Sequence, residues 1–294
     1  MSAAAGIAAL LIAGCAALGG GREPSPPAGL LLLGEGRVLA WSADGRLRAG
    51  RVGEGLAEAP RLPLTYVVDA LAWEERALLA GSVGTPGQEE QALVVEVDAQ
   101  GVVRASWSLG AGVATAVAGG PEKPVAAAFS GLYALEAGEV RLMAPSPSLT
   151  IVRGTAHRPI LCQPANLTVA SQAPAVCTWT DDAGAEHRAL GAWTSAPLLC
   201  GAWVLEPGPV GVEVRALTDG VVAGAFARGA DAPVACLDEH TALVGGEGAH
   251  VIALPGGQET TALPCGSGPA VLIATAGGSA ACLAGDGRVY RLEP

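Results

Sequence analysis

Short apolar runs, each closed by a glycine-bearing turn, recur along this chain at a nearly constant interval. One such run is Arg37-Val38-Leu39-Ala40-Trp41, between Gly34-Glu35-Gly36 and Asp44-Gly45; another is Arg288-Val289-Tyr290-Arg291-Leu292, after Gly285-Asp286-Gly287. Runs of the same kind start at 92, 139, 175, 211 and 250, so successive starts from 37 to 288 lie 55, 47, 36, 36, 39 and 38 residues apart. A second marker keeps the same beat. Pro159-Ile160-Leu161-Cys162, Pro197-Leu198-Leu199-Cys200 and Pro233-Val234-Ala235-Cys236 share one pattern, and Pro269-Ala270-Val271-Leu272 continues it. Helical spacing of apolar residues is hardly sustained anywhere, whereas Val/Leu/Ala runs ended by Asp-Gly turns are what antiparallel hairpins require.

A unit of about 36 to 45 residues is the size of four short strands, one blade of a β-propeller. Assigning each run to the third strand of its unit predicts an all-β fold: a single β-propeller of about seven four-stranded blades over 29–294. The Pro-x-x-Cys marker falls on the innermost strands. The first unit is read as lacking its innermost strand and the last its outermost, so the two ends meet and the ring closes without a long free edge. A sandwich or other all-β stack is the alternative, but it leaves the persistence of the period unexplained.

The chain has 294 residues, half of them apolar and 15% charged, enough to bury a full core. Its 42 glycines and 21 prolines suit a chain that turns often. With 17 basic against 28 acidic residues the net charge is −11, and the acid is dispersed. Nucleic acids need a basic footprint, so they are not expected partners, and a polybasic membrane contact is improbable.

Residues 1–21 carry no charged side chain, and the apolar run Ile7–Ala13 is too short for a membrane span of ~20 residues. It reads as the core of a signal peptide, 1–14. Ile12-Ala13-Gly14-Cys15 resembles a bacterial lipobox: an aliphatic residue, two small ones that fit a narrow peptidase cleft, then the cysteine that receives lipid. The resemblance implies anchoring to the membrane through lipid on Cys15. Ala16, not aspartate, implies the outer membrane by similarity to the sorting habit of enteric lipoproteins. A conventionally cleaved signal and a retained anchor are the alternatives. The glycines and prolines of 15–28 read as a flexible tether.

Six further cysteines, Cys162, Cys177, Cys200, Cys236, Cys265 and Cys282, are an even number in an exported chain and suggest disulfides, with 15 connectivities open if all pair. Because innermost strands converge on the axis, one pair among Cys162, Cys200 and Cys236 is expected within bonding range. Four histidines (His157, His187, His240 and His250) show no metal-ligand spacing, and no metal or cofactor is expected. Gly266-Ser267-Gly268 precedes a proline and a strand rather than a helix, so it is not a nucleophile elbow. Thr180-Asp181-Asp182-Ala183-Gly184 is loosely similar to a sialidase Asp-box but occurs once, as an acidic turn would. The six tryptophans are read as blade-packing residues.

Three stretches, Gly277–Tyr290, Glu239–Gly248 and Gly36–Trp41, are similar to the RCC1 repeat, with His240 standing where that family has its histidine. The quinoprotein-like repeats of outer-membrane assembly lipoproteins share the same hairpin grammar. Either resemblance implies a propeller used mainly as a docking surface, and neither carries a functional residue onto this chain. The expectation is therefore a membrane-anchored, non-catalytic binding scaffold of the bacterial cell envelope, partnered by another envelope protein. The alternative is an exported propeller enzyme, a hydrolase or lyase, with its site at the axial opening. Perturbed acid and base groups converging on one pocket would favour the enzyme.

Overall fold

The computed structural model describes residues 25–85, 88–145, 150–152, 160–164, 175–180, 186–191, 198–208, 211–218, 221–227 and 232–294. Cys15, the leader and most of the tether lie outside the described residues. The described strands form seven antiparallel sheets in chain order, over 27–58, 66–111, 114–145, 150–191, 198–227, 234–263 and 270–292. Six sheets have four described strands and the last has three, and within each the spatial order is the chain order.

First strands of neighbouring sheets touch. Pro27–Leu32 meets Tyr66–Trp73, which meets Ala114–Ala118, which meets Thr150–Val152. Leu198–Cys200 meets Val234–Cys236, which meets Ala270–Ala276, and that strand returns to Pro27–Leu32. Sheets whose first strands converge, and whose last member packs on the first, are the blades of one β-propeller.

The apolar runs follow from this geometry. A blade is covered on both faces, so its strands are apolar continuously rather than alternately. In Arg76–Val83, Ala77 and Leu79 face blade 1 while Leu78 and Ala80 face blade 3. Blade 1 reciprocates with Leu31, Leu39, Trp41 and Leu47, all buried. Trp41 lies over Gly29, its cross-strand partner; a Cβ there would come within 1.8 Å of the indole, so glycine makes room for the ring.

The Asp-Gly turns that mark the repeat are carboxylate-stapled. Asp98 Oδ1 accepts from the backbone N–H groups of Gln100 and Val102 at 2.9 Å, and Asp286 Oδ1 accepts from that of Arg288 at 2.9 Å. Such a staple imitates a backbone turn, and Gly101 and Gly287 take the φ values of 77° and 78° that the tight reversal then needs.

Ring closure is explicit. Leu30, Leu32, Val38 and Ala40 of blade 1 form one buried cluster with Ala274, Ala281, Leu283 and Val289 of blade 7. The Gly53 N–H donates to the Val289 carbonyl at 2.8 Å, and Gly55 bridges Arg288, so a loop of the first blade reaches the outer edge of the last.

The strand ranks differ from the sequence reading in places. The runs at 92, 175, 211, 250 and 288 fall in third strands, but Arg37–Ser42 is a second strand and Glu139–Pro145 a fourth. The Gly-acid-Gly signature marks a tight hairpin and not its position in the blade. Cys162 likewise sits in the second strand of blade 4, Ile160–Pro164, whereas Cys200 and Cys236 are innermost. Blade 1 does not lack its innermost strand: Pro27–Leu32 supplies it, beginning inside the stretch read as tether.

Candidate functional site

The seam where blade 7 meets blade 1 carries a cleft of about 270 Å³. One side is the turn Gly34–Gly36, which joins the first two strands of blade 1. Glu35 holds φ 58°, uncommon for a residue with a Cβ, and Gly36 follows at 69°. The Gly34 N–H donates to the Glu74 carbonyl of blade 2, fixing the turn against its neighbour. The other side is the turn of blade 7 through Gly277. Leu32 and Ala280, both buried, make the floor together with half-buried Val52.

Three charged residues line the rim. The Glu35 carboxylate lies 3.7 Å from the Arg37 guanidinium. Glu74 is exposed. Arg291 leaves the last strand beside buried Val289 and reaches over the turn, so that a Cβ on Gly36 would lie 3.6 Å from its Nη2. Among the described residues the Arg291 side chain has no hydrogen-bond or ion-pair partner. Sequence reasoning passed over this cleft. The only signal was an acid between two glycines, and nothing in the spacing placed Arg291 above it.

Among the described residues, two disulfides form between the cysteines singled out. Cys200 and Cys236 join the innermost strands of blades 5 and 6, with Cα atoms 5.4 Å apart, and Cys265 is bonded to Cys282, Cα atoms 6.1 Å apart. The converging inner strands thus bring together one of the pairs expected from the Pro-x-x-Cys marker. Cys162 and Cys177 are cross-strand partners in the register of blade 4.

The histidines are not brought together. His250 shares a hydrogen bond of 2.8 Å between Nδ1 and Glu259 Oε1, while His240 is exposed in a turn opposite Leu254. His157 lies outside the described residues, and the side chain of His187 is not among those described. Among the described residues no group of three His, Cys, Asp or Glu is arranged to hold a metal ion, and no helix is long and apolar enough to cross a membrane. Gly266 packs against the Tyr290 ring in a loop that leads into a strand. Asp181 and Asp182 lie outside the described residues. Trp41 and Trp107 are buried between blades, and the Trp73 and Trp107 indoles donate to the Gly119 and Glu136 carbonyls at 3.2 and 2.8 Å.

The carboxylates with displaced pKa values are the turn staples. Burial opposes ionisation of Asp98, but the Val102 N–H, the Arg104 side chain and the Gln100 N–H outweigh it and hold the carboxyl below its ordinary 3.8. Hydrogen bonds from the Thr241 side chain and the His240 N–H lower Asp238, and the Tyr290 hydroxyl, donating at 2.7 Å, lowers Asp286. Asp44 is likewise held low against burial by the Ser42 hydroxyl and Arg46, so the four acids sit in separate turns of blades 1, 2, 6 and 7. A carboxylate whose folded pKa is depressed contributes stability present above its unfolded pKa and lost as pH falls through the folded value. Melting temperature should therefore hold from neutrality to about pH 5 and decline below about pH 4, and Asp98→Asn should shallow that decline. Thermal melts across a pH series of both proteins check this.

Antiparallel sheets whose first strands converge, with the last sheet packed on the first, define a β-propeller. No family model matches the chain, and no curated protein matches it. Solved structures do. The chain is similar to the WD40 β-propeller domain of Doa1, with a TM-score of 0.55 and 9% identity over 92% of this chain and 93% of that one. It is similar to BamB from Moraxella catarrhalis, with a TM-score of 0.53 and 13% identity over 90% and 96%. The computationally designed Ika8 protein matches at 0.50 and 14% over 91% and 96%. At such identities the likeness is one of fold.

Proposed function

We propose that the chain is a non-catalytic binding scaffold of the bacterial cell envelope, an exported lipoprotein held at the outer membrane through Cys15, with another envelope protein as partner. The observation that supports the binding role is that, among the described residues, the displaced acids Asp44, Asp98, Asp238 and Asp286 each lie in their own turn, whereas an enzyme needs such groups converging on one pocket. Propellers host both binding and catalysis, so the site and not the fold decides. The RCC1-like turns and the propeller neighbours are in keeping with a docking surface. The anchor rests on the lipobox-like Ile12-Ala13-Gly14-Cys15, since two acyl chains on the cysteine make attachment stable.

Replacing Cys15 by Ala should abolish palmitate labelling and move the protein from the membrane to the soluble fraction. Labelling unchanged in the variant refutes the anchor. For the binding role, cross-linking of the membrane-bound wild-type protein followed by affinity capture should yield a stoichiometric protein partner, and recovery of the chain alone counts against it.

A further inference from the structure

We infer that the seam cleft between blades 7 and 1 is a receptor for the free carboxylate at the end of a peptide whose last residue is aliphatic. The inference rests on the binding role proposed above and names the chemistry of what is bound.

Three features select this ligand. The first is size: at about 270 Å³ the cleft lies just below the ~300–1,000 Å³ of small-molecule pockets, so it holds a chain end rather than a large ligand. The second is its floor. Over the buried Leu32 and Ala280, half-buried Val52 and Ala276 offer an aliphatic side chain an apolar surface. The third is Arg291. In a chain of net charge −11, the Arg291 guanidinium stands at the rim of the cleft with no partner among the described residues. Its fork of donors matches a carboxylate, and a charged pair hydrogen-bonds more strongly than a neutral one.

The acid nearest the turn does not compete. Glu35, in the turn, is drawn to Arg37 at 3.7 Å at the start of the strand that follows, and the fixed turn keeps the two together. Glu74 carries the opposite charge to Arg291 across the rim and repels an incoming acid. It thereby disfavours peptides with further acidic residues near their end.

The test uses the full chain and two fluorescein-labelled hexapeptides ending in Ala-Leu, one with a free carboxylate and one amidated, followed by anisotropy. The free acid should bind roughly tenfold or more tightly than the amide. Arg291→Gln should erase that difference, and Glu74→Gln should tighten the free acid. Equal binding of both peptides, no binding of either, or an Arg291→Gln protein that still prefers the acid overturns the inference. Circular dichroism melts of the variants confirm that both remain folded, as expected for exposed side chains. The inference and the binding role fail separately. A partner cross-linked equally by wild type and Arg291→Gln removes the cleft and leaves the scaffold standing, whereas no cross-linked partner removes the scaffold.

Discussion

Removing Gly287–Pro294 should leave a protein that aggregates or is degraded, whereas a cut anywhere in 19–24 should leave the ring folded. The eight C-terminal residues include Val289 and Leu292, almost fully buried, and each large apolar side chain contributes of order 1.5–3 kcal/mol when buried. They also supply the Val289 carbonyl that accepts from Gly53. Their loss uncovers Leu30, Leu32, Val38 and Ala40 of the first blade and Ala281 and Leu283 of the last, an apolar face on each side of the gap. A domain is stable by only about 5–15 kcal/mol, so the deletion removes a large share of the whole. The N-terminal cut ends ahead of Pro27–Leu32, the first described strand, and takes away none of the contacts described for the ring. Equal thermal melts for the two truncations would refute closure by the last blade.

The second large effect should come from reduction. Cys200–Cys236 closes a loop of 36 residues and Cys265–Cys282 one of 17. In the chain-entropy account these bonds contribute about 3.8 and about 3.1 kcal/mol by restricting the unfolded chain. Both lie in blades 5 to 7, so reduction acts there first, while the cluster of Leu31, Trp41, Leu79 and Val95 between blades 1 and 2 has no disulfide to lose. The expected result is a melting temperature lowered by about 10 °C or more in reductant, at about 2–4 °C for each kcal/mol. Hydrogen exchange should be fastest in blades 5 to 7 under those conditions. A melt unmoved by reductant would show that the bonds constrain nothing the packing does not already hold.

The fold was legible in the sequence because its turns are chemically marked. Asp98 and Gly101, or Asp286 and Gly287, must be those residues to accept the backbone N–H and to take a positive φ, and so the period is written in them. What the turns do not encode is rank. Arg37–Ser42 and Glu139–Pro145 follow the same kind of turn as the third strands but pair as second and fourth, because rank depends on where each blade begins, which these turns do not mark. Cys200 and Cys236 were predictable partners since both stand at one point of successive inner strands, while the Cys265–Cys282 bond joins a linker to a second strand and no spacing announces it. The seam cleft was invisible for a related reason. Its floor and rim come from opposite ends of the chain, and only closure makes Arg291 a neighbour of Gly36.

That closure also sets a timetable. A chain made from its N-terminus presents Leu30, Leu32, Val38 and Ala40 well before the residues that cover them, since Ala274 comes 234 residues after Ala40. Until then the first blade can shelter only its other face, against blade 2. Contacts between residues so far apart in sequence form slowly, and an uncovered apolar face is where misassembly begins. Until those residues are made, the nascent protein is an open arc with one sticky end. Holding that end apart from other chains is a task for whatever accompanies the polypeptide until the strands of blade 7 arrive.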